Sequence, residues 1–180
     1  MHTGDDGGGD DGGSNVDAPD DAVTKVYMDA AGCYAGLACA GAGVQLVNKA
    51  VCNGGCWVTC TSDLPFTDQT TPSKACKDWG GHLAPIRSAA DEACVSNVLF
   101  PSQASWIGFE QASSTTLLGN WSWNSDGIAP AYTHWASGQP NDVDGTESNE
   151  EQCAMMSTIG TWQDVPCTGQ ALFRFSCRHD

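Results

Sequence analysis

Two short triplets hold the side chains best suited to do chemistry. Gln139-Pro140-Asn141 and Trp162-Gln163-Asp164 both supply side-chain oxygens, and the second lies between Cys153 and Cys167. Amide and carboxylate oxygens are the donors a hard cation such as calcium takes, about six to eight at a time. If the two triplets converge, a metal sits at the working surface, where sugar hydroxyls could reach it. Between them, residues 142–151 hold five acids: Asp142, Asp144, Glu147, Glu150 and Glu151. Such a run on its own reads as a solvated loop. Amides beside a proline also cap turns, so Gln139 and Asn141 have a purely local reading as well.

Positioning these oxygens falls to two helices and a set of strands. Thr71 as N-cap, Pro72 at the first helical position and the stop Gly80-Gly81 predict a helix over 71–79. Ser88 opens a second helix, with Asp91 placed to answer the cap; Cys94, Val95, Val98 and Leu99 give it an apolar face. Strand patterns occur at 44–47, 56–60, 82–86, 105–109, 121–123, 153–156 and 173–177, with a further run at 23–27. Residues 124–150 are rich in Asn, Asp, Gly, Ser and Pro; a loop this long inside a domain is usually functional. Helices first and strands later make an α+β pattern rather than alternating β/α units.

The 180 residues favour one domain with appendages. Residues 1–22 carry seven Asp, no Lys or Arg and no aromatic residue, which predicts a disordered acidic Gly/Asp tether. Residues 23–51 read as a small Cys-containing extension, and residues 52–180 as the main domain. A net charge of −15 excludes nucleic acid and anionic membrane as partners. No apolar run reaches the roughly 20 residues of a membrane helix, so no membrane insertion is expected. Ten cysteines point to an oxidising compartment, secreted or at the extracellular surface. Met1-His2-Thr3 leads directly into Gly and Asp, which predicts a mature or trimmed form whose export segment lies upstream. The tether composition is similar to linkers of exported bacterial lipoproteins. No nucleophile–base spacing stands out, so the chain is not expected to be an enzyme. His82 and His134 share no partner spacing and read as structural.

Together these residues resemble a C-type lectin-like domain over about residues 52–178. Cys76 through Gly80-Gly81-His82-Leu83 resembles the family's first helix and following strand, and Trp106-Ile107-Gly108-Phe109 its WIGL strand. Trp121, Trp123 and Trp135 fit the tryptophans before the long loop. Gln139-Pro140-Asn141, Glu151-Gln152-Cys153 and Trp162-Gln163-Asp164 sit where the family carries calcium ligands. The resemblance implies two helices packed on antiparallel sheets, a long calcium-binding loop and disulfide stabilisation. It implies the disulfides Cys76–Cys177 and Cys153–Cys167 and a cis Pro140. For the other six cysteines the pairing stays open, with Cys94 expected to reach back to the 52–60 segment.

The resemblance further implies Ca2+ held by Gln139, Asn141, Glu151, Gln163 and Asp164. Gln139, Asn141, Glu151 and Gln163 would also hydrogen-bond the hydroxyls of a glycan. Glu-Pro-Asn triplets in the family tend towards mannose-type sugars and Gln-Pro-Asp towards galactose-type; Gln-Pro-Asn is a hybrid. With only Glu151 and Asp164 charged, calcium affinity is expected in the weak extracellular range of roughly 10⁻⁴–10⁻³ M. An auxiliary calcium site in some relatives needs acids where this chain has Gln111 and Thr115. The leading expectation is calcium-dependent carbohydrate binding on a secreted or surface-tethered protein. The alternatives are a lectin-like domain with a protein partner, or with an ice-like or mineral surface, and a structural module of an extracellular assembly.

Overall fold

The computed structural model describes residues 33, 38–98 and 103–180. The expected tether 1–22, the strand run at 23–27 and Leu99 lie outside the described residues. The chain opens with a hairpin of β1 (Val44–Cys52) and β2 (Gly55–Asp68), turned by Asn53 and Gly54. Both turn residues have positive φ (48° and 74°), the conformation a two-residue hairpin needs and Asn-Gly tolerates. So β1, from the 23–51 segment, pairs along its length with β2.

Helix α1 (Thr70–Asp78) starts one residue before the expected cap. Gln69 is the N-cap but its side chain is turned away, donating to the Ile107 carbonyl at 2.9 Å. Asp68 does the capping instead: its carboxylate accepts from the Thr71 N–H at 3.0 Å and the Thr70 hydroxyl at 2.5 Å. These donors hold its carboxyl below the usual carboxylate range. Pro72 falls at the third helical position, still within the first turn, where its missing N–H costs no helical bond. Gly80, at φ 90°, ends the helix as expected.

Helix α2 (Ala89–Val98) follows the sequence signal closely. Ser88 Oγ accepts the Asp91 N–H at 3.1 Å, and the Asp91 carboxylate takes the Arg87 N–H at 3.0 Å. The carboxylate thus bonds the N–H of the residue before the cap rather than that of Ser88 itself, a variant of the capping box built with Asp. Cys94, Val95 and Val98 are buried.

The strands β3 (His82–Leu83), β4 (Ser105–Gln111), β5 (Trp121–Trp123), β6 (Cys153–Met156), β7 (Trp162–Val165) and β8 (Thr168–His179) join the hairpin in one sheet. Its order is β1-β2-β8-β4-β6-β7, with β3 beside β8 and β5 beside β4. The sheet is mixed, since β4 runs parallel to β8 with Trp106 opposite Phe175. β7 is a strand the sequence pattern does not mark.

One core face packs Trp79, Leu83, Trp106 and Phe175 with Cys76 and Cys177. The other gathers Trp57, Ile86, Ile107, Phe109, Trp123, Met156 and Trp162. Five disulfides cross this framework: Cys33–Cys56, Cys39–Cys60, Cys52–Cys94, Cys76–Cys177 and Cys153–Cys167. Each constrains the unfolded chain, typically by about 2–4 kcal/mol. Among the described residues no cysteine is free, and no helix is long and apolar enough to cross a membrane.

Candidate functional site

The long loop between β5 and β6 is anchored on aromatic residues. Phe109 is ringed by Trp121, Trp123, Trp135 and Trp162, with centroids 4.5–5.6 Å away. Trp135 bridges to Trp162, flanked by a bond from the Trp162 N–H to the His134 carbonyl and from the Ala136 N–H to the Trp162 carbonyl, each 2.8 Å. The Gln139 N–H then bonds the Ala136 carbonyl at 3.0 Å. Packing of this cluster thus sets where Gln139 begins, and the same Trp162 sets where Gln163 and Asp164 stand. Beneath it, Glu92 of α2 accepts from the Tyr132 hydroxyl and pairs with His134 Nδ1, both at 2.7 Å. Burial and that carboxylate push the Tyr132 hydroxyl up to about 12.

From Gln139 the chain turns sharply. The Gln139-Pro140 peptide is cis. Asp164, only 4% exposed, reaches across from β7, and its Oδ2 accepts the N–H groups of Asn141 and Asp142 at 2.8 Å each. Glu151 Oε2 accepts the N–H of Val143 at 2.9 Å. Asn141, Glu151 and Asp164 are therefore drawn together from three separate segments. Gln163 lies half-buried in β7, and its amide makes no hydrogen bond to the other four.

Asp142 is the residue sequence reasoning underrates. Read as one acid of a solvated run, it is instead 2% exposed and the hub of the loop. Its carboxylate accepts the Ser148 N–H and, at 2.8 Å, the Ser148 hydroxyl. It also accepts the N–H groups of Glu150 at 2.9 Å and Glu151 at 2.6 Å. Burial alone would raise its carboxyl, but these donors outweigh it and the group lies below the usual range. The positive φ of Asp142 (43°) and of Val143 (67°) makes the sharp bend possible. For a β-branched valine that conformation is strained. The only sequence signal for this hub is an Asp followed by Gly145 and Ser148 within one loop.

The electrostatics of the remaining carboxylates run the opposite way. Burial raises the Asp164 carboxyl, and the N–H groups of Asp142 and Asn141 only partly offset this. Burial also raises Glu151, and the nearby charges of Asp164, Asp142 and Glu150 add to it. Two oxygens are left without any partner: Gln139 Oε1 and Asp164 Oδ1, both buried. Buried acceptors without donors are rare and costly. Oxygens of this kind, beside buried carboxylates, fit a hard cation. Among the described residues no three His, Cys, Asp or Glu side chains cluster as metal ligands. A set with three amides and two acids would not need them to.

Comparison with known proteins bears on the family and the fold. The family model for the Lectin C-type domain matches residues 69–178. C-type lectin domain family 4 member G of Mus musculus is 30% identical over 100 residues, 56% of this chain and 32% of the relative. Type-2 ice-structuring protein of Brachyopsis segaliensis is 32% identical over 95 residues, 51% of this chain and 49% of the relative. The aligned stretch thus spans about a third to a half of these curated relatives. Among solved structures, the human scavenger receptor C-type lectin carbohydrate-recognition domain superposes with a TM-score of 0.60 at 23% identity. It covers 73% of this chain and 95% of that one, and shares the fold.

Proposed function

The chain belongs to the C-type lectin domain family, a family of non-catalytic binding domains, and on that premise we propose that it binds carbohydrate through a loop-held calcium outside the cell. The observation that carries this reading is the pair of partnerless buried oxygens, Gln139 Oε1 and Asp164 Oδ1. A buried acceptor left without a donor costs about 1–3 kcal/mol, and one cation would satisfy both. Gln139, Asn141, Glu151, Gln163 and Asp164 would hold the ion, and water or paired sugar hydroxyls would complete its shell. The same amides and Glu151 would bond those hydroxyls, so affinity and specificity would share residues. Two formal charges keep calcium affinity weak, roughly 10⁻⁴–10⁻³ M. Five disulfides suit a secreted or extracellular setting.

The test is a glycan array probed with the oxidised protein in millimolar calcium and again in chelator. Binding that disappears with chelator supports the reading and identifies the sugar class. No glycan bound in either condition sinks it. A second reading is favoured by the likeness to the ice-structuring protein: the same surface would then bind a partner other than sugar. A calcium-dependent rise in melting temperature with no response to any sugar would select it.

A further inference from the structure

Gln111 ends β4 at the foot of the site loop, and its side chain is 6% exposed. Its amide nitrogen faces four oxygens. Three are backbone carbonyls of the following loop: Thr116 at 3.3 Å, Leu117 at 3.2 Å and Gly119 at 2.9 Å. The fourth is the Glu147 carboxylate at 2.9 Å, from the middle of the 142–151 loop. The chemistry fixes which end of the amide points inward, since the carbonyl end would set five oxygens against one another. An NH2 group has two hydrogens, so four acceptors converge on a single centre of positive polarity. Such a nest of carbonyls and a carboxylate is what a hard cation gathers.

The two loops meet at a second point. Asn149 Oδ1 accepts the Ser114 N–H at 2.9 Å and the Gln152 amide at 2.8 Å, and its Nδ2 donates to the Ser114 carbonyl at 3.2 Å. The Gln111 N–H bonds the Gln152 carbonyl at 2.9 Å. The Glu147 carboxylate is thereby shared, its Oε1 accepting the Asn149 N–H at 3.0 Å. Amides joined by the Glu147 carboxylate therefore run from β4 through Asn149 to the residues just before Cys153.

We infer that Gln111 is a positioning residue whose amide NH2 occupies the place of an auxiliary cation, so that the loop carrying Asn141, Asp142 and Glu151 keeps its shape without a second metal. An acid at this position would need an ion to hold the same oxygens together. Here the amide does so permanently and without charge. The consequence is a protein that binds at most one calcium at this end and whose binding loop is formed before the ion arrives.

The experiment compares hydrogen exchange of the full chain in chelator and in millimolar calcium, for the native protein and for Gln111→Glu. The substitution keeps size and shape but replaces the NH2 by an oxygen. The native protein is expected to protect residues 112–120 and 142–151 in chelator almost as well as in calcium. In Gln111→Glu, exchange in both segments should rise at least about tenfold in chelator, while amides of β2 and β8 stay protected. Calcium should restore protection, with the calorimetric stoichiometry rising by one ion over the native value. Native exchange rates for Gln111→Glu in chelator overturn the inference. Loosening that calcium cannot reverse overturns the equivalence of amide and cation. The chelator arm needs no calcium binding, so it tests Gln111 even where the calcium-lectin reading fails.

Discussion

The sheet formed by β1, β2 and β8 and the loop over 139–151 are held together by different means. The sheet carries long antiparallel ladders, and four of the disulfides touch it or its flanking helices: Cys33–Cys56, Cys39–Cys60, Cys52–Cys94 and Cys76–Cys177. The loop has almost no ladder; its bonds run from backbone N–H groups to the carboxylates of Asp142, Glu151 and Asp164. One arrangement is indifferent to protons and ions. The other is made of the groups that protons and ions compete for. A loop placed on carboxylates can respond to its surroundings while the sheet beneath it does not move.

The sharpest way to break the framework is Gly108→Ala. A Cβ there would lie 2.2 Å from the Leu83 carbonyl oxygen and 2.8 Å from Asn124 Oδ1. The first contact is backbone, in the centre of the sheet, and cannot yield cheaply. We expect loss of more than about 4 kcal/mol, read as failure to refold or a collapse of the urea midpoint. Native-like unfolding of this variant would show that β3 and β4 are not locked as described.

Asp142→Ala breaks the other side of the comparison. It strands the N–H groups of Ser148, Glu150 and Glu151. We expect the loop to open at a cost of about 2–4 kcal/mol, seen as fast exchange over 142–151. The global urea midpoint should fall by no more than this loop contribution, because the sheet's own ladders are unchanged. Equal effects on loop and sheet would erase the distinction between them.

What sequence reveals follows the same division. The α2 cap is legible because Ser88 and Asp91 are three residues apart and answer each other locally. Trp106 to Phe109 and Trp121 to Trp123 are legible because burial writes itself as hydrophobic pattern. β7 is hidden because Trp162-Gln163-Asp164 has too few residues to show a period, and its strand character comes from pairing with β6. The cap of α1 is displaced because Asp68, rather than Thr71, finds the free N–H groups. At the site, the order of motifs points to candidate ligands, but the role of Asp142 is invisible. Its partners are backbone N–H groups six to nine residues away, and every residue but proline has one. The Asn53-Gly54 hairpin was open to local reasoning and binds the 44–52 segment to the sheet.

A smaller effect sharpens the calcium side. At about 10 mM, calcium binding in the weak extracellular range would stabilise the protein by roughly 1.4–2.7 kcal/mol. Asp164→Asn keeps an acceptor for the Asn141 and Asp142 N–H groups but removes the charge. We expect its melting temperature in chelator to equal or exceed that of the native protein, with the calcium response gone. A calcium response left intact would remove Asp164 from the site.

The smallest effect is on pH, and its sign differs between the two kinds of carboxylate. Burial raises Asp164 and Glu151 above their unfolded values, so the folded chain holds protons that the unfolded chain has released. In chelator, stability should therefore fall as pH rises from ordinary carboxylate values through the raised ones. Burial acts in the same upward sense on Asp142, but its donors win and leave it depressed; its contribution is present above the ordinary value and lost as pH falls through the depressed one. The two windows lie on opposite sides of about pH 4. On the proposed reading calcium would compete with protons at Asp164 and Glu151, so its stabilising effect should shrink as pH falls through the upper window while the exchange rates of β2 and β8 stay constant. Melting curves with and without calcium, taken between about pH 2 and 8, measure both slopes. A calcium shift of constant size across that range would mean that neither carboxylate meets the ion.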